Sequence, residues 1–148
     1  MALNESAGII ASYATAIGVA FAAWQIWRNA EQSRTAFEDA LAKEYRELIR
    51  AIPYAVILNK NIPEIEAQQT KELIYNYLDF CNQQAYLRSK KRIRESTWYE
   101  WQAGMKLNLS LSLFHKVANE VFDAHPEIFE ELRRVKSNGF IGDPAHWG

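Results

Sequence analysis

Residues 7–27 read AGIIASYATAIGVAFAAWQIW, an uncharged run that is flanked by Glu5 and Arg28. The hydrocarbon core of a bilayer is about 30 Å thick, and a helix needs roughly 20 mostly apolar residues to cross it. Lipid offers no partner for backbone N–H and C=O groups, so a lone crossing segment must be helical. The run therefore predicts a single transmembrane helix over residues 7–27, preceded by a short extracytoplasmic N-terminus of residues 1–6.

Two other interpretations of this run stay open, a cleaved signal peptide and a buried core helix. A signal peptide has a basic start and small residues at its cleavage site, whereas residues 1–6 lack Lys and Arg and residues 24–27 read WQIW. Trp24 and Trp27 favour the membrane, because tryptophan concentrates at bilayer interfaces. All 17 Lys and Arg residues follow the run. The positive-inside rule then predicts a single-pass inner-membrane protein, with the N-terminus outside and the C-terminal domain in the cytoplasm.

Small residues recur every four positions along the run. Such faces let helix backbones approach closely in lipid, where packing drives association. The pattern predicts a homo-oligomer, although alanine is also simply common in membrane helices. The predicted oligomerisation residues are Gly8, Ser12, Ala14, Gly18 and Ala22.

Composition limits the partners of the remaining chain, which has the length of one domain. The whole chain carries 17 basic and 18 acidic residues, and setting Glu5 aside leaves the part after the run formally neutral. A neutral domain is not a bulk polyanion binder, so no duplex nucleic acid is expected as a partner and any anion site must be local. The single Cys81 excludes an intramolecular disulfide and fits a reducing compartment.

Helical periodicity continues beyond the uncharged run. Residues 28–51 contain neither Gly nor Pro, and their apolar residues recur at helical spacing. The pattern predicts a stalk helix over residues 28–52, continuous with the predicted span and ended by Pro53. The sequence as a whole predicts an all-α protein, in which one transmembrane helix continues into a homo-oligomeric cytoplasmic helical bundle.

The bundle is predicted to comprise residues 53–139, followed by a tail of residues 140–148. One helix starts near Pro63. The alternating leucines between residues 107 and 113 are interpreted as a helix end and a short extended loop, rather than a strand, before a further helix that reaches about Ala124. The tail is expected to be ordered only if Phe140 and Trp147 dock. The other predicted helix boundaries are N-caps at Ser96 and Ser112, Pro126 at the first position of the last helix, and Gly139 as its C-cap.

Five basic residues lie within seven positions, and we call residues 88–94 the basic turn. Arginine holds phosphate with two hydrogen bonds, and lysine acts as a point charge. Flanking aromatic rings can stack on bases. We therefore predict a site for an anionic ligand, but an ordinary solvated loop or a patch against anionic lipid headgroups would show the same cluster. The predicted ligand-binding residues are Arg88, Lys90, Lys91, Arg92, Arg94, Tyr86 and Trp98.

Motifs for catalysis and metal binding are missing from the sequence. There is no P-loop, GxGxxG, HExxH or GxSxG pattern. His115, His125 and His146 have no Cys or carboxylate at metal-ligand spacing. We expect no catalytic residue, no metal and no cofactor, and an enzyme acting at the membrane is disfavoured.

Residues 75–117, YNYLDFCNQQAYLRSKKRIRESTWYEWQAGMKLNLSLSLFHKV, carry an aromatic-rich helix, a basic turn with Arg92 and Ile93, and the pair Trp98 and Trp101 before Gly104. This pattern resembles small bacterial proteins of unknown function with one N-terminal span and a helical cytoplasmic domain. The layout is also similar to membrane effectors of type III CRISPR defence, whose cytoplasmic domain binds cyclic oligoadenylate. The resemblance implies an architecture and no specific chemistry.

Together these patterns predict a membrane effector or sensor. Its cytoplasmic domain would bind an anionic ligand, a cyclic oligonucleotide by similarity of layout, and transmit binding to the transmembrane bundle. The result would be a perturbed membrane, as in antiphage defence. The alternative is a membrane tether or scaffold whose helical domain docks a protein partner.

Overall fold

The computed structural model describes the backbone of residues 2–147 and the side chains of residues 15–147. Within this range the chain is all-α and has no strand, which confirms the predicted fold class at that level. The elements are α1 (Ala2–Ala51), α2 (Tyr54–Ile57), α3 (Glu64–Ser89), α4 (Glu95–Leu109), α5 (Ser112–Ala124), α6 (Glu130–Ser137) and a 3-10 helix (Pro144–His146).

The chain divides into a first unit up to Phe37 and a second unit from Glu38 onward. Helix α1 contributes residues to both units. It ends at Ala51, as the sequence predicts, because Pro53 has no N–H to donate to a further helical turn. The last turn carries Arg50, which lies favourably at the negative end of the helix dipole.

Residues 15–30 of α1 are exposed on every side of the helix. Large apolar side chains are among them, including Ile17 at 70% exposure and Trp27 at 63%. Within the described residues, no helix combines the length and the apolar character needed to cross a bilayer, so the predicted crossing is not found there. The predicted span of residues 7–27 begins with residues 7–14, whose side chains lie outside the described part.

The second unit is built around α3, which packs against α4, α5, α6 and the 3-10 helix. Ile74, Leu78 and Ala85 on this helix are fully buried, at the helical spacing that the sequence shows. The ring of Tyr77 meets Phe114 of α5 edge-on, with 5.4 Å between ring centroids. These contacts make α3 the central element of one apolar core.

Several helix boundaries differ from the predicted ones. Helix α4 begins one residue after Arg94, so Ser96 lies inside the helix rather than at its cap. Ser112 is the first residue of α5 and not its cap, and the leucines near it end α4 and begin α5 with a short turn between them. Helix α6 begins at Glu130 instead of Pro126, because Phe129 is left-handed, at φ 56°, and places its ring in the core.

The C-terminal tail is docked on the second unit. Phe140 and Trp147 pack against the core, which meets the condition that the sequence set for an ordered tail. Gly139 adopts φ 70° just after the end of α6, a conformation that glycine reaches without strain. Asp143 and Pro144 are buried, so the tail contributes to the interior.

Candidate functional site

The basic turn is formed by the C-terminal end of α3. The Lys91 N–H donates to Arg88 O at 2.8 Å, and the Arg92 N–H donates to Leu87 O at 3.0 Å. This pair of bonds is the Schellman arrangement, which usually has glycine at the left-handed position. Here that position is Lys91, at φ 57°. A lysine therefore occupies a backbone conformation that costs about 1 kcal/mol for residues with a Cβ.

Arg88 is buried, and its guanidinium group is hydrogen-bonded to the C-terminal tail. Its Nε donates to Asp143 Oδ1 at 2.7 Å and its Nη2 donates to Asp143 Oδ2. Its Nη1 donates to Ile93 O at 2.7 Å. The hydrogen bond from Arg88 lowers the pKa of Asp143 below its ordinary value, and the same bond raises the pKa of Arg88. The structure thus gives this predicted ligand-binding residue an intramolecular role.

Arg94 is held by a carboxylate from α1. The Arg94 backbone N–H donates to Glu38 Oε1 at 2.6 Å, and its Nη1 donates to Glu38 Oε2 at 2.8 Å. The Thr97 hydroxyl donates to the same Oε2 at 3.0 Å. Glu38, which is 7% exposed, therefore ties α1 to the start of α4 through Arg94 and Thr97, although it bonds no backbone N–H within the first turn of α4.

Trp98 is fully buried, and its Nε1 donates to Gly142 O at 3.1 Å. Gln102 Nε2 donates to the same carbonyl oxygen at 2.9 Å. The structure places this predicted ligand-binding ring in the core, where it serves as a packing residue, and stacking on a base stays a prediction. Tyr86, by contrast, is 49% exposed.

The exposed charges of the basic turn are Lys90, Lys91 and Arg92. The Lys90 ammonium lies 5.3 Å from the centroid of the Tyr86 ring, within the range of a cation–π contact. Lys91 and Arg92 also take part in interactions within the molecule. The exposed positive charge of the basic turn therefore comes from these three residues, and the exposed ring of Tyr86 lies beside Lys90.

Sequence reasoning missed Glu38 and Asp143, the two carboxylates at the ends of the basic turn. Each bonds an arginine about 55 residues away, and no local pattern signals such a pair. Asp143 also accepts a hydrogen bond from Ala145 N at 2.9 Å and caps the 3-10 helix. The short Asp-Pro step in the tail was the one signal that could have pointed to this cap.

The thiol of Cys81 is unsuited to thiolate chemistry. It is fully buried next to Tyr77, and burial raises the pKa of Cys81 to about 12. Only a thiolate is an effective nucleophile, and this thiol stays protonated at neutral pH. Cys81 is therefore a core residue.

Helix α1 meets α3 and α4 at a cluster of polar groups. Asn108 Nδ2 donates to the hydroxyl of Tyr77 at 3.0 Å and to that of Tyr45 at 3.4 Å. A cavity of about 120 Å³ opens beside these two rings. Its lining includes Tyr45, Tyr77, Gln84, Glu100, Trp101 and Gly104.

Gly104 lies in the interior of α4 at the wall of this cavity. Apart from its chain neighbours and the adjacent backbone of α4, no heavy atom lies within 4 Å of the position that a Cβ would take there. Glycine inside a helix costs about 0.5–1 kcal/mol relative to alanine. Because an alanine would fit, packing within the described residues does not require glycine at this position.

The predicted oligomerisation residues belong to the first unit. Gly18 and Ala22 are exposed, and apart from the adjacent chain no heavy atom lies within 4 Å of a Cβ built on Gly18. The side chains of Gly8, Ser12 and Ala14 lie outside the described part of the chain. The structure shows a single chain, so association of copies stays a prediction.

Within residues 15–147, no group of three or more His, Cys, Asp or Glu side chains comes together as metal ligands would. The resemblance to single-span bacterial proteins stays a prediction. No protein-family model, curated protein or solved structure matches the chain.

Proposed function

We propose that this protein is a membrane-anchored effector or sensor. In this proposal the uncharged residues 7–27 associate with the bilayer and with other copies of the chain, and the second unit binds an anionic ligand at the basic turn. The exposed apolar side chains between Ile17 and Trp27 support the membrane association, since water is a poor environment for them. The three exposed cations at Lys90, Lys91 and Arg92 support the anionic ligand.

The observation that carries the proposal is the attachment of Glu38 to the end of the basic turn. Glu38 belongs to α1, and its carboxylate bonds Arg94 and Thr97 at the start of α4. An anion that binds at the basic turn competes with this carboxylate for the same guanidinium group and the same N–H. Binding would then change how α1 is held, provided that the ligand prefers one arrangement over the other.

A charge placed within residues 7–27 should weaken the association of the protein with the membrane. Ile17 lies near the middle of residues 7–27, and an arginine at the centre of a span costs about 2.5–3.5 kcal/mol on insertion scales. We expect Ile17→Arg to reduce the fraction of the protein that stays with carbonate-washed membranes. Ser33→Arg is the matched control, because it adds the same charge to an exposed site of α1 outside the run. Equal membrane fractions for both variants and the wild type would contradict the proposed anchor.

Cyclic oligoadenylates are the probe for the ligand site proposed at the basic turn. Lys91→Gly removes one positive charge and places glycine at the left-handed position, so the fold should gain about 1 kcal/mol. We expect it to weaken binding about tenfold, the equivalent of about 1.4 kcal/mol. Glu38→Gln removes the competing charge and should strengthen binding. Native mass spectrometry of the detergent-solubilised chain gives the bound mass, and isothermal titration calorimetry gives the affinity.

Lys106→Gln is the control for this experiment, because it removes an exposed charge at the other end of α4. If Lys91→Gly is more stable than the wild type and still binds the ligand more weakly, the weaker binding reflects a lost ligand contact and not unfolding. If the protein binds none of the cyclic oligoadenylates, the proposal that such a ligand binds at the basic turn is wrong.

The second candidate function is a membrane tether that docks a protein partner. It is favoured by one observation, that Arg88 and Arg94 are both engaged by carboxylates of the chain itself. A tether would anchor the second unit without responding to nucleotides. Depolarisation of cells that express the protein together with the ligand is expected for the effector and not for the tether.

A further inference from the structure

The cavity beside Tyr45 reaches the side-chain amide of Gln84, a residue that is otherwise largely buried. Gln84 is 3% exposed, and its side chain makes no hydrogen bond to another described residue. Every fully shielded side-chain N or O atom among the described residues has such a bond. The amide of Gln84 is therefore reached through the cavity, where it can bond a polar atom of a ligand or a water molecule.

The cavity is also kept open at a cost to α4. Gly104 faces empty space where alanine would fit and would favour the helix. At about 120 Å³ the cavity holds several water molecules or one small organic group, since roughly 150 Å³ is enough for benzene. A nucleotide is far larger than this space. The cavity is therefore distinct from the ligand site proposed at the basic turn.

The chemistry of the lining favours a cation. Three aromatic rings, those of Tyr45, Tyr77 and Trp101, contribute to the walls, and aromatic faces attract organic cations. Glu100 is the one carboxylate among the described lining residues, which include no Lys, Arg or His. We propose that the cavity binds a small alkylammonium ion, with the rings and Glu100 around the charge and the Gln84 amide as a polar contact.

This inference does not rest on the proposed function. Because Tyr45 belongs to α1 while Gln84 and Glu100 belong to α3 and α4, a bound ion would touch three helices of the second unit. An anionic ligand at the basic turn requires neither the cavity nor Glu100. Failure of one proposal therefore leaves the other standing.

The test uses the full chain in detergent, with trimethylammonium chloride as the probe and tert-butanol as a neutral molecule of similar shape. Sodium chloride at equal concentration controls for ionic strength. We expect the ammonium ion to shift the NMR signals of the Gln84 side-chain amide and the Gly104 backbone amide. The alcohol should shift them less, because it carries no charge for the rings and Glu100 to attract.

Three variants decide whether the cavity is the binding site. Glu100→Gln should weaken ammonium binding about tenfold, while Glu72→Gln, at an exposed position of α3, should leave it unchanged. Gly104→Leu should abolish binding by filling the cavity. Gly104→Ala guards against misfolding, because it should raise the melting temperature while it weakens binding. Unshifted signals, equal shifts with tert-butanol, or binding unaffected by Gly104→Leu and Glu100→Gln would overturn the proposal and leave a water-filled cavity.

Discussion

Replacing Asp143 by alanine is expected to lower the free energy of unfolding by about 3–5 kcal/mol. The carboxylate of Asp143 accepts two hydrogen bonds from Arg88, and both side chains are almost fully buried. Without Asp143, the guanidinium group keeps its bond to Ile93 O but loses its counter-charge inside the protein. Urea denaturation followed by tryptophan fluorescence measures the change.

A double-mutant cycle separates the pair from its surroundings. Removing one partner of a buried ion pair leaves an uncompensated charge, whereas replacing both by apolar groups is often nearly neutral. We therefore expect Arg88→Met with Asp143→Leu to be more stable than either single variant. If the two single losses simply add in the double variant, Arg88 and Asp143 do not act as the pair that the structure shows.

The same pair makes a pH dependence testable. The Arg88 hydrogen bond holds the pKa of Asp143 below its ordinary value, and a carboxylate with a lowered pKa stabilises the fold in its charged form. Its contribution is present well above the unfolded Asp pKa of about 3.9 and is lost as the pH falls through the folded pKa. The stability difference between wild type and Asp143→Ala should therefore shrink only in acid.

Replacing Trp98 by alanine is expected to destabilise the protein by about 3–5 kcal/mol. The ring is fully buried at the start of α4, and its N–H bonds the tail at Gly142 O. The variant loses apolar contacts and opens a cavity beneath the tail. The same urea experiment measures the loss, and faster proteolysis of the tail would accompany it.

Two neighbouring substitutions serve as controls for Trp98. Trp98→Phe keeps most of the ring and loses the N–H, and Gly142 O still accepts from Gln102, so we expect a smaller loss of about 1 kcal/mol. Tyr99→Ala removes an aromatic ring that is 46% exposed and should cost less than Trp98→Ala. A Trp98→Ala variant as stable as Tyr99→Ala would contradict the buried position of Trp98.

The helices followed from local features of the sequence. Residues 28–51 have no Gly or Pro to interrupt a helix, and Pro53 follows, so the end of α1 at Ala51 was predictable. Ile74, Leu78 and Ala85 of α3 likewise recur at helical spacing in the sequence, and all three are fully buried. Helix-ending prolines and apolar spacing involve residues within one or two helical turns of one another, and such local relations can be recognised in the sequence.

The start of α6 shows where local rules failed. Pro126 is a good first residue of a helix, but the helix begins four residues later. Phe129 takes a left-handed backbone conformation, and its ring packs 5.4 Å from Tyr75 and 6.4 Å from Phe122, centroid to centroid. Burial of this ring in the core outweighs the local preference for helix.

The sequence by itself determined the helical class, the core face of α3 and the cluster of positive charge in residues 88–94. Only the tertiary structure decided what those charges do, because Asp143 and Glu38 reach Arg88 and Arg94 across about 55 residues. It also decided that Trp98 is buried beneath the tail. Charge and aromatic character are properties of single residues. Which residue a side chain contacts depends on how the whole chain folds.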